Sequence, residues 1–255
     1  MRNIWIICSK ELKSYFTSWV AYVLLTLFAV VFGFVFWTAM EYFVTASMEM
    51  QMSGQSYPMN INEQIIRPLL GNVSVLGLFL IPIITMRLFA EEKRSGTIEL
   101  LATSPVRDIE IILGKWLAAL GLYACMLLFT ALNFAFLFRY GNPDWKPLAV
   151  GYLGLLLEAG GLLAVGAFIS SLTRNQIIAG AVTFAVCLLL FIFGWVSGFN
   201  SAAWATVLAY LSVATHENSF AKGVIESKDA VYYLTVIFLG LFFTARSMES
   251  LRWRS

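Results

Sequence analysis

Few residues of this chain have the type and spacing needed for catalysis. His216 is the only histidine, so a two-histidine zinc motif such as H-E-x-x-H cannot be built. Gly194–Gly198 has the wrong spacing for a serine nucleophile elbow, and no G-x-x-x-x-G-K-[ST] phosphate loop occurs. Ser197 with His216 is the one conceivable serine–histidine pair. We therefore predict that the chain is not an enzyme and has no cofactor of its own.

Two groups of side chains suggest metal chemistry at first sight. Met48, Met50 and Met52 alternate along the chain and resemble a soft-ligand cluster for Cu(I). Thioethers are also adaptable apolar contacts, so both interpretations stay open and we predict no metal site. For His216 we expect a hydrogen-bonding role that orders its loop rather than a metal-binding one. The cysteines show no C-x-x-C spacing, which favours buried thiols over disulfides.

Two polar residues interrupt long apolar runs. Glu158 sits near the middle of one run and Asn133 lies in another. A carboxylate at such a position is costly in lipid, so Glu158 should face the interior, a partner or a water-filled path. Its role is then either functional or inter-helical, or it is a protonated acid that only helps packing. Asn133 either bonds across helices or packs locally.

The densest run of charge spans Phe89–Lys115 and lies between two apolar runs. Glu91–Arg94 would stop the first run at the lipid headgroups. Gly96 is a candidate helix C-cap, since glycine adopts the left-handed conformation without penalty. Thr97 can then begin a short helix whose apolar face carries Ile98 and Leu101.

A second helix start follows in the same insert. Ser104 has the chemistry of an N-cap, Pro105 suits the first helical position and Asp108 suits the first turn. The insert is therefore either a short helix held between two membrane spans, able to transmit movement, or an ordinary solvated loop.

The composition requires lipid as the solvent for these elements. Hydrophobic residues make up 60% and charged residues 13% of the 255 residues, against roughly 25% charged in soluble domains. The mean hydropathy is +0.79. We predict an all-α integral membrane protein that forms a single transmembrane domain over residues 1–255. Its six spans are 19–40, 68–89, 113–138, 147–172, 177–196 and 230–245.

The segments between these spans differ in character. Residues 1–18 suggest an amphipathic helix in the membrane surface, or a simple lead-in to a first span that stays as an anchor. Residues 41–67 suggest a polar loop, and 90–112 form the charged insert. Within 197–229, the apolar part 199–213 is too short to cross twice, so we expect it to dip into the membrane or lie at its surface. The small residues of span four predict a place deep in the bundle.

The distribution of Lys and Arg predicts the orientation. With the N-terminus inside, twelve of the 17 basic residues fall on the cytoplasmic side and five outside. Both termini and the charged insert are then cytoplasmic. The five outer residues are Arg67, Arg139, Lys146, Lys222 and Lys228.

Several stretches resemble the permeases of ABC type-2 exporters. The similarity is carried by Phe89–Leu101, Thr103–Val106 and Leu113–Lys115, by Gly166–Gln176, and by His216–Ile225. It continues from Asp229–Tyr233 to Arg246–Ser250 and looks closest to the gliding-motility and nitrous-oxide-reductase-maturation branch. The methionines after span one depart from the pattern.

The resemblance implies a permease in a bacterial inner membrane that pairs with a second copy or a related permease and sits on ATP-binding subunits. ATP and magnesium would be bound by those partner subunits. The N-terminal helix would be the interface helix and residues 199–213 the extracellular re-entrant element. The coupling segment that docks on the ATPase would comprise Glu91, Glu92, Lys93, Arg94, Ser95, Gly96, Thr97, Ile98, Glu99, Leu100 and Leu101.

The sequence thus predicts an exporter permease that works with an ATP-binding subunit and membrane lipid, without nucleic acid; a periplasmic partner is a further option. A membrane scaffold or mechanical component that moves no cargo is the alternative, and an intramembrane hydrolase using Ser197 and His216 is a third. No sequence pattern identifies the cargo, so lipid, glycan, peptide and metal all stay open.

Overall fold

The computed structural model describes residues 2–53, 60–97, 106–141, 143–199 and 203–252. Within these residues the secondary structure is helical, with no strand. In chain order the α-helices, numbered α1 to α10, are Arg2–Thr17, Trp19–Ser53, Arg67–Thr85, Ala90–Ser95, Asp108–Tyr140, Trp145–Leu172, Gln176–Phe199, Ala203–Leu211, Val213–Ala221 and Ser227–Arg252. A π-helical turn, Asn62–Ile66, leads into α3.

The prediction of six membrane spans is confirmed. Six helical stretches are long and apolar enough to cross a bilayer: Trp19–Ser53, Asn62–Ser95, Asp108–Tyr140, Trp145–Leu172, Gln176–Trp195 and Ser227–Ser250. Large apolar side chains such as Phe34, Leu132 and Phe238 point outward. This arrangement is expected where lipid covers the outside of a helical bundle.

Helix α2 is longer than predicted, and the expected loop over residues 41–67 is wrong in its first part. The helix runs on to Ser53, a total of 35 residues. Thr45 and Ser47 donate their hydroxyls to the carbonyls of Glu41 and Val44, so the polar residues are satisfied inside the helix. A helix of this length measures roughly 52 Å at about 1.5 Å per residue. It therefore extends about 20 Å beyond a ~30 Å hydrocarbon core.

Helix α3 ends at Thr85, inside the predicted second span 68–89, because the chain turns there. Pro82 lies inside α3 and cannot donate a backbone hydrogen bond. The Thr85 hydroxyl donates to the carbonyl of Ile81 at 3.0 Å. Residues 86–89 form the turn, after which the short helix α4 begins at Ala90.

The helix of the third span begins at Asp108, ahead of the predicted span start at 113. Ser104 and Pro105, the predicted start of this helix, lie outside the described residues. Arg107 has extended backbone angles and precedes the first helical residue. Its N–H donates to the carboxylate of Glu110 at 3.3 Å, which closes the helix start by a side chain three residues on. Asp108 lies in the first turn, as predicted.

Helix α6 forms the centre of the bundle, as its small residues predict. It packs most extensively on α10 and also contacts α3, α5, α7 and α9. A methyl group added at Gly154 would lie 2.4 Å from Phe220 of α9, so only glycine permits this approach. One end of the bundle carries α1 and α4; we call it the α4 end. The other carries α8 and α9; we call it the α9 end.

The flanking helices cover the two ends of the bundle. Helix α1 lies along α5, with Ile7 against Gly114 and Leu12 against Gly121. At the other end, α8 and α9 follow residues 200–202, and Ser212 separates the two helices. The surface position of α1 and the re-entrant position of residues 199–213 stay predictions.

Candidate functional site

Helix α4 lies at the α4 end, next to α5, α6 and α7. Its first residue, Ala90, and the preceding Phe89 are fully buried. Its last turn is closed by Gly96, which has φ 74° and ψ 0°. This left-handed conformation matches the C-cap predicted at Gly96, because residues with a side chain rarely adopt it.

The N-terminus of α4 is capped by a side chain from another helix. The Ser170 hydroxyl, on the last turn of α6, accepts hydrogen bonds from the backbone N–H groups of Phe89 and Ala90, both at 3.1 Å. Ser170 is fully buried. The first N–H groups of a helix have no partner within the helix. Ser170 supplies one here and thereby fixes α4 to α6.

A buried lysine connects α4 to two further helices. The ammonium group of Lys115, on α5, lies 2.8 Å from Glu92 of α4 and 3.1 Å from Glu11 of α1. The Lys115 side chain is only 4% exposed, and its ammonium lies 5.5 Å from the centre of the Phe89 ring. Removing one partner of a buried ion pair leaves a costly uncompensated charge. The cluster Glu11–Lys115–Glu92 therefore holds α1, α4 and α5 in one arrangement.

A third connection reaches the end of α10. Lys93 donates to the carbonyl of Ser171 at the end of α6. The Ser247 hydroxyl of α10 donates to the same carbonyl at 3.2 Å. Through these contacts α4 is linked to α1, α5 and α6 and, by way of the Ser171 carbonyl, to α10.

The predicted coupling residues divide into two faces. Glu92 and Lys93 point into the bundle, whereas Glu91, Arg94, Ser95, Gly96 and Thr97 are exposed. Ile98, Glu99, Leu100 and Leu101 lie outside the described residues. The exposed residues 91 and 94–97 form what we call the outer face of α4. It offers both charges and hydroxyls to a partner.

A cavity of about 250 Å³ lies beside α4 and is lined in part by Tyr15, Arg87 and Glu91. The Nε of Arg87 is buried and has no hydrogen-bond partner. Burial raises the pKa of the Tyr15 hydroxyl well above its usual range, so this group is neutral. The cavity lies between α1, the start of α2 and the end of α3.

The other predicted site residues lie away from α4. Glu158 is buried in α6 and accepts a hydrogen bond of 2.6 Å from Ser74 of α3. Asn133 donates to the carbonyl of Phe129 in its own helix, so this bond does not cross between helices. Met48 and Met52 are exposed on the extended end of α2.

His216 is buried in α9 and uses both ring nitrogens. Its Nδ1 lies 2.7 Å from Asp229 of α10, and its Nε2 donates to the carbonyl of Tyr210 at 2.8 Å. Its ring stacks on Tyr232. Both ring nitrogens of His216 are thus engaged by Asp229 and Tyr210; the side chain of Ser197, its partner in the predicted serine–histidine pair, lies outside the described residues. Among the described residues, no group of three or more His, Cys, Asp or Glu side chains could hold a metal ion.

Sequence reasoning missed the residues that fix α4. Lys115 belongs to the motif that carries the family resemblance, but the motif gives it no role, and Glu11 looks like an ordinary residue of an amphipathic helix. Ser170 looks like part of a polar turn, whereas it lies in the last turn of α6. The one available signal is the pair Ser170 and Ser171, two hydroxyls at the end of an otherwise apolar run.

The comparisons with known proteins bear on the whole chain. A family model described as ABC-2 family transporter protein matches residues 5–244. The comparison with curated proteins gives no match. The likeness to one branch of the family stays a prediction.

Proposed function

Since this chain belongs to the ABC-2 family of transporter proteins, we propose that it is the permease subunit of an ATP-driven exporter and that α4 couples it to a separate ATP-binding subunit. The proposal rests chiefly on the buried Glu11–Lys115–Glu92 cluster. A helix of six residues could not transmit force if it were tied only to its neighbours in sequence. The cluster joins it to helices distant in the chain.

The two faces of α4 suit this role. The inner face is held by Ser170, Lys115 and Ser171. The outer face leaves Glu91 and Arg94 exposed to meet complementary charges on a partner. A push on the outer face would reach the spans through buried contacts, where the low dielectric makes electrostatic links strong.

The orientation follows from the charges at the two ends of the bundle. In the proposed topology the α4 end faces the cytoplasm of a bacterial inner membrane, which puts most of the basic residues inside. Both termini are then cytoplasmic. A second permease copy would complete the export pathway, and ATP with magnesium would be bound by the partner subunit. The permease itself catalyses no reaction in this account.

A second candidate function is a mechanical component that moves no cargo. The extension of α2 beyond the membrane favours it, since about 20 Å of helix would reach an outer partner. Measurement of cargo movement in reconstituted vesicles separates the two functions. ATP hydrolysis that responds to the permease but moves no cargo would support the mechanical role.

Charge reversal on the outer face of α4 tests the proposed function. In vesicles containing the ATP-binding subunit, E91K with R94E should lower permease-stimulated ATP hydrolysis by about tenfold or more. The substitution E49K, on the exposed end of α2, is the matched control and should have no effect. Normal stimulation by the inserted double variant would overturn the assignment of α4.

A further inference from the structure

A carboxyl group without a counter-ion lies inside the bundle. Glu158 of α6 is 3% exposed, and its Oε1 accepts the Ser74 hydroxyl at 2.6 Å. Its Oε2 is buried and has no hydrogen-bond partner. Within the described parts of the chain, Glu158 forms no ion pair with Lys, Arg or His.

These surroundings fit the neutral acid rather than the carboxylate. An ionised carboxylate in an apolar interior is very costly without pairing, and such groups bind a proton instead. One neutral hydrogen bond from Ser74 does not replace the hydration of a full charge. Glu158 therefore carries a proton in this conformation.

A second carboxyl group lies nearer the α9 end of the bundle. Glu217 of α9 is 6% exposed and borders a cleft of about 360 Å³ together with Glu63, Arg67 and Gly71. Burial raises the pKa of Glu217 to about 7, although the positive charge of Arg67 opposes the rise. Glu217 is thus placed between the bundle interior and the opening of the cleft.

Contacts between the helices bring the two carboxyl groups near each other. Phe220, three residues after Glu217, lies against Gly154, one turn of α6 before Glu158. Gly71, which borders the cleft together with Glu217, lies one turn of α3 before Ser74, the hydrogen-bond donor to Glu158. Ionising both groups would place two negative charges in one poorly solvated region, which proton binding avoids.

Among the residues that the structure describes, the remaining groups around the pair include no compensating cation on the inner side. Tyr232 and Tyr233 donate their hydroxyls to the carbonyls of Leu211 and Val213. The titratable and charged groups that face the pair are Glu63 and Arg67 beside the cleft, Tyr123 on α5, Cys187 on α7, and Tyr232 and Tyr233 on α10. Arg67 is the cation of this set, and it lies on the cleft side.

We propose that Glu158 and Glu217 form a proton-binding site that exchanges with the solution at the α9 end through the cleft beside Arg67. The ligand is a proton from water, which adds to a carboxylate oxygen and is released from the same oxygen. Loss of protons from both groups sets up repulsion between α6 and α9. The packing of α9 on the bundle then depends on the pH at that side. This inference goes beyond the proposed function and needs no ATP-binding partner.

Infrared spectroscopy of the full chain in lipid nanodiscs tests the site directly. The wild type should show the C=O stretch of a protonated carboxyl group at neutral pH, and E158Q should lack it. The glutamine side chain keeps the acceptor for Ser74, so the fold should be retained. A second carboxyl signal should titrate near pH 7 and be absent from E217Q. The control E49Q, at an exposed position, should retain both signals.

Two results would overturn the proposal. One is an acid band at neutral pH that is the same in E158Q as in the wild type. The other is a titration near neutral pH that E217Q leaves unchanged. If E158Q does not fold, S74A gives a second test, because loss of its hydrogen bond should shift the frequency of the Glu158 band. An unshifted band in S74A would also contradict the site.

Discussion

Ser170 holds the start of α4 in position through a single hydroxyl group. Its hydroxyl satisfies two buried N–H groups that have no partner inside α4. Neighbouring Ser171 differs, because its hydroxyl only donates to the carbonyl of Phe168 in its own helix. Two adjacent serines therefore have distinct roles.

Substituting Ser170 by Ala should destabilise the protein. The two N–H groups of Phe89 and Ala90 would stay buried without an acceptor, at a cost of about 1–3 kcal/mol. Thermal unfolding in detergent measures the loss, and S171A is the matched control with a change of less than about 0.5 kcal/mol. Equal effects of the two substitutions would contradict the capping role of Ser170.

The His216–Asp229 pair should stabilise the α9 end. Both side chains are almost fully buried, so D229A leaves His216 without its partner and should cost about 3–5 kcal/mol. The neighbouring pair Lys228–Glu226 is exposed, so K228A should cost less than about 1 kcal/mol. Chemical or thermal unfolding of both variants checks this ranking. Comparable losses would show that burial of the pair does not matter.

Glu217 should make stability depend on pH. The folded chain keeps its proton up to about pH 7, whereas the ordinary pKa is 4.5. The folded state thus binds the Glu217 proton more tightly than the unfolded state does. The protonated side chain therefore adds to the free energy of unfolding in full below about pH 4.5, and this stabilisation is lost as the pH rises through 7. At about 1.4 kcal/mol per pH unit this amounts to roughly 3 kcal/mol.

The unfolding temperature of the wild type should therefore fall between mildly acidic and mildly alkaline pH more than that of E217Q. The glutamine in this variant is neutral throughout and keeps the size of the side chain. Parallel pH profiles of the two proteins would show that the Glu217 proton does not contribute to stability.

The sequence predicted individual residues only where the signal is local. Glu158 was visible because a charge interrupts an apolar run, and Gly96 because its residue type suits a helix end. The roles of Ser170 and Lys115 were not predictable, since Ser170 lies roughly 80 residues from Phe89 and Lys115 roughly 100 residues from Glu11 along the chain. Only the packing of the helices brings these groups together.

At the scale of the element, α4 is defined by its two ends. Ser170 caps its start, and Gly96 closes its end with a positive φ of 74°. The left-handed conformation of Gly96 sets the direction in which the backbone continues to Thr97. A change at Gly96 should therefore alter the outer face without disturbing the six spans.

Substituting Gly96 by Pro should abolish coupling while the chain remains inserted. Proline is confined to φ near −65° and cannot adopt the observed angle, so the end of α4 must rearrange. ATP-dependent transport in vesicles should fall by about tenfold or more. The control G33A lies on α2, where an added methyl group contacts nothing. Full transport activity of G96P would refute the role of the cap.

Element boundaries were the least predictable part of the fold. Helix α2 continues past Met40 because nothing in residues 41–53 breaks a helix, although their polarity suggested a loop. Helix α5 starts at Asp108, where Glu110 closes its first turn. The polar residues after Met40 thus indicate where the predicted membrane span ends, whereas helix α2 itself continues.

At the scale of the whole molecule, the helical class and six spans followed from composition and hydropathy. The central position of α6 followed from its small residues, which let Leu70, Phe220 and Trp116 approach its backbone. The distribution of charge predicted which polar end faces which side of the membrane. It did not predict the contacts between residues within each end. The α4 end is stabilised by ion pairs and by the Ser170 cap that α6 provides to α4. The α9 end is stabilised by the His216–Asp229 pair and by the tyrosines of α10.

This architecture suggests how the two ends communicate. Helix α6 carries Ser170 at the α4 end and Glu158 near its middle, and α9 rests on its first half. A displacement of α4 would act on the last turn of α6 first. The helix could then pass the displacement along its axis toward the α9 end.

Photo-cross-linking from the outer face of α4 shows directly whether this helix contacts an ATP-binding subunit. A photoreactive amino acid placed at the exposed Arg94 position, in the full complex in its native membrane, should form an adduct with an ATP-binding subunit identified by mass spectrometry. The same probe at Phe34, which is exposed on the apolar part of α2, should form none. Absence of the adduct at position 94, or equal yields at both positions, would contradict the claim that α4 couples this permease to an ATPase.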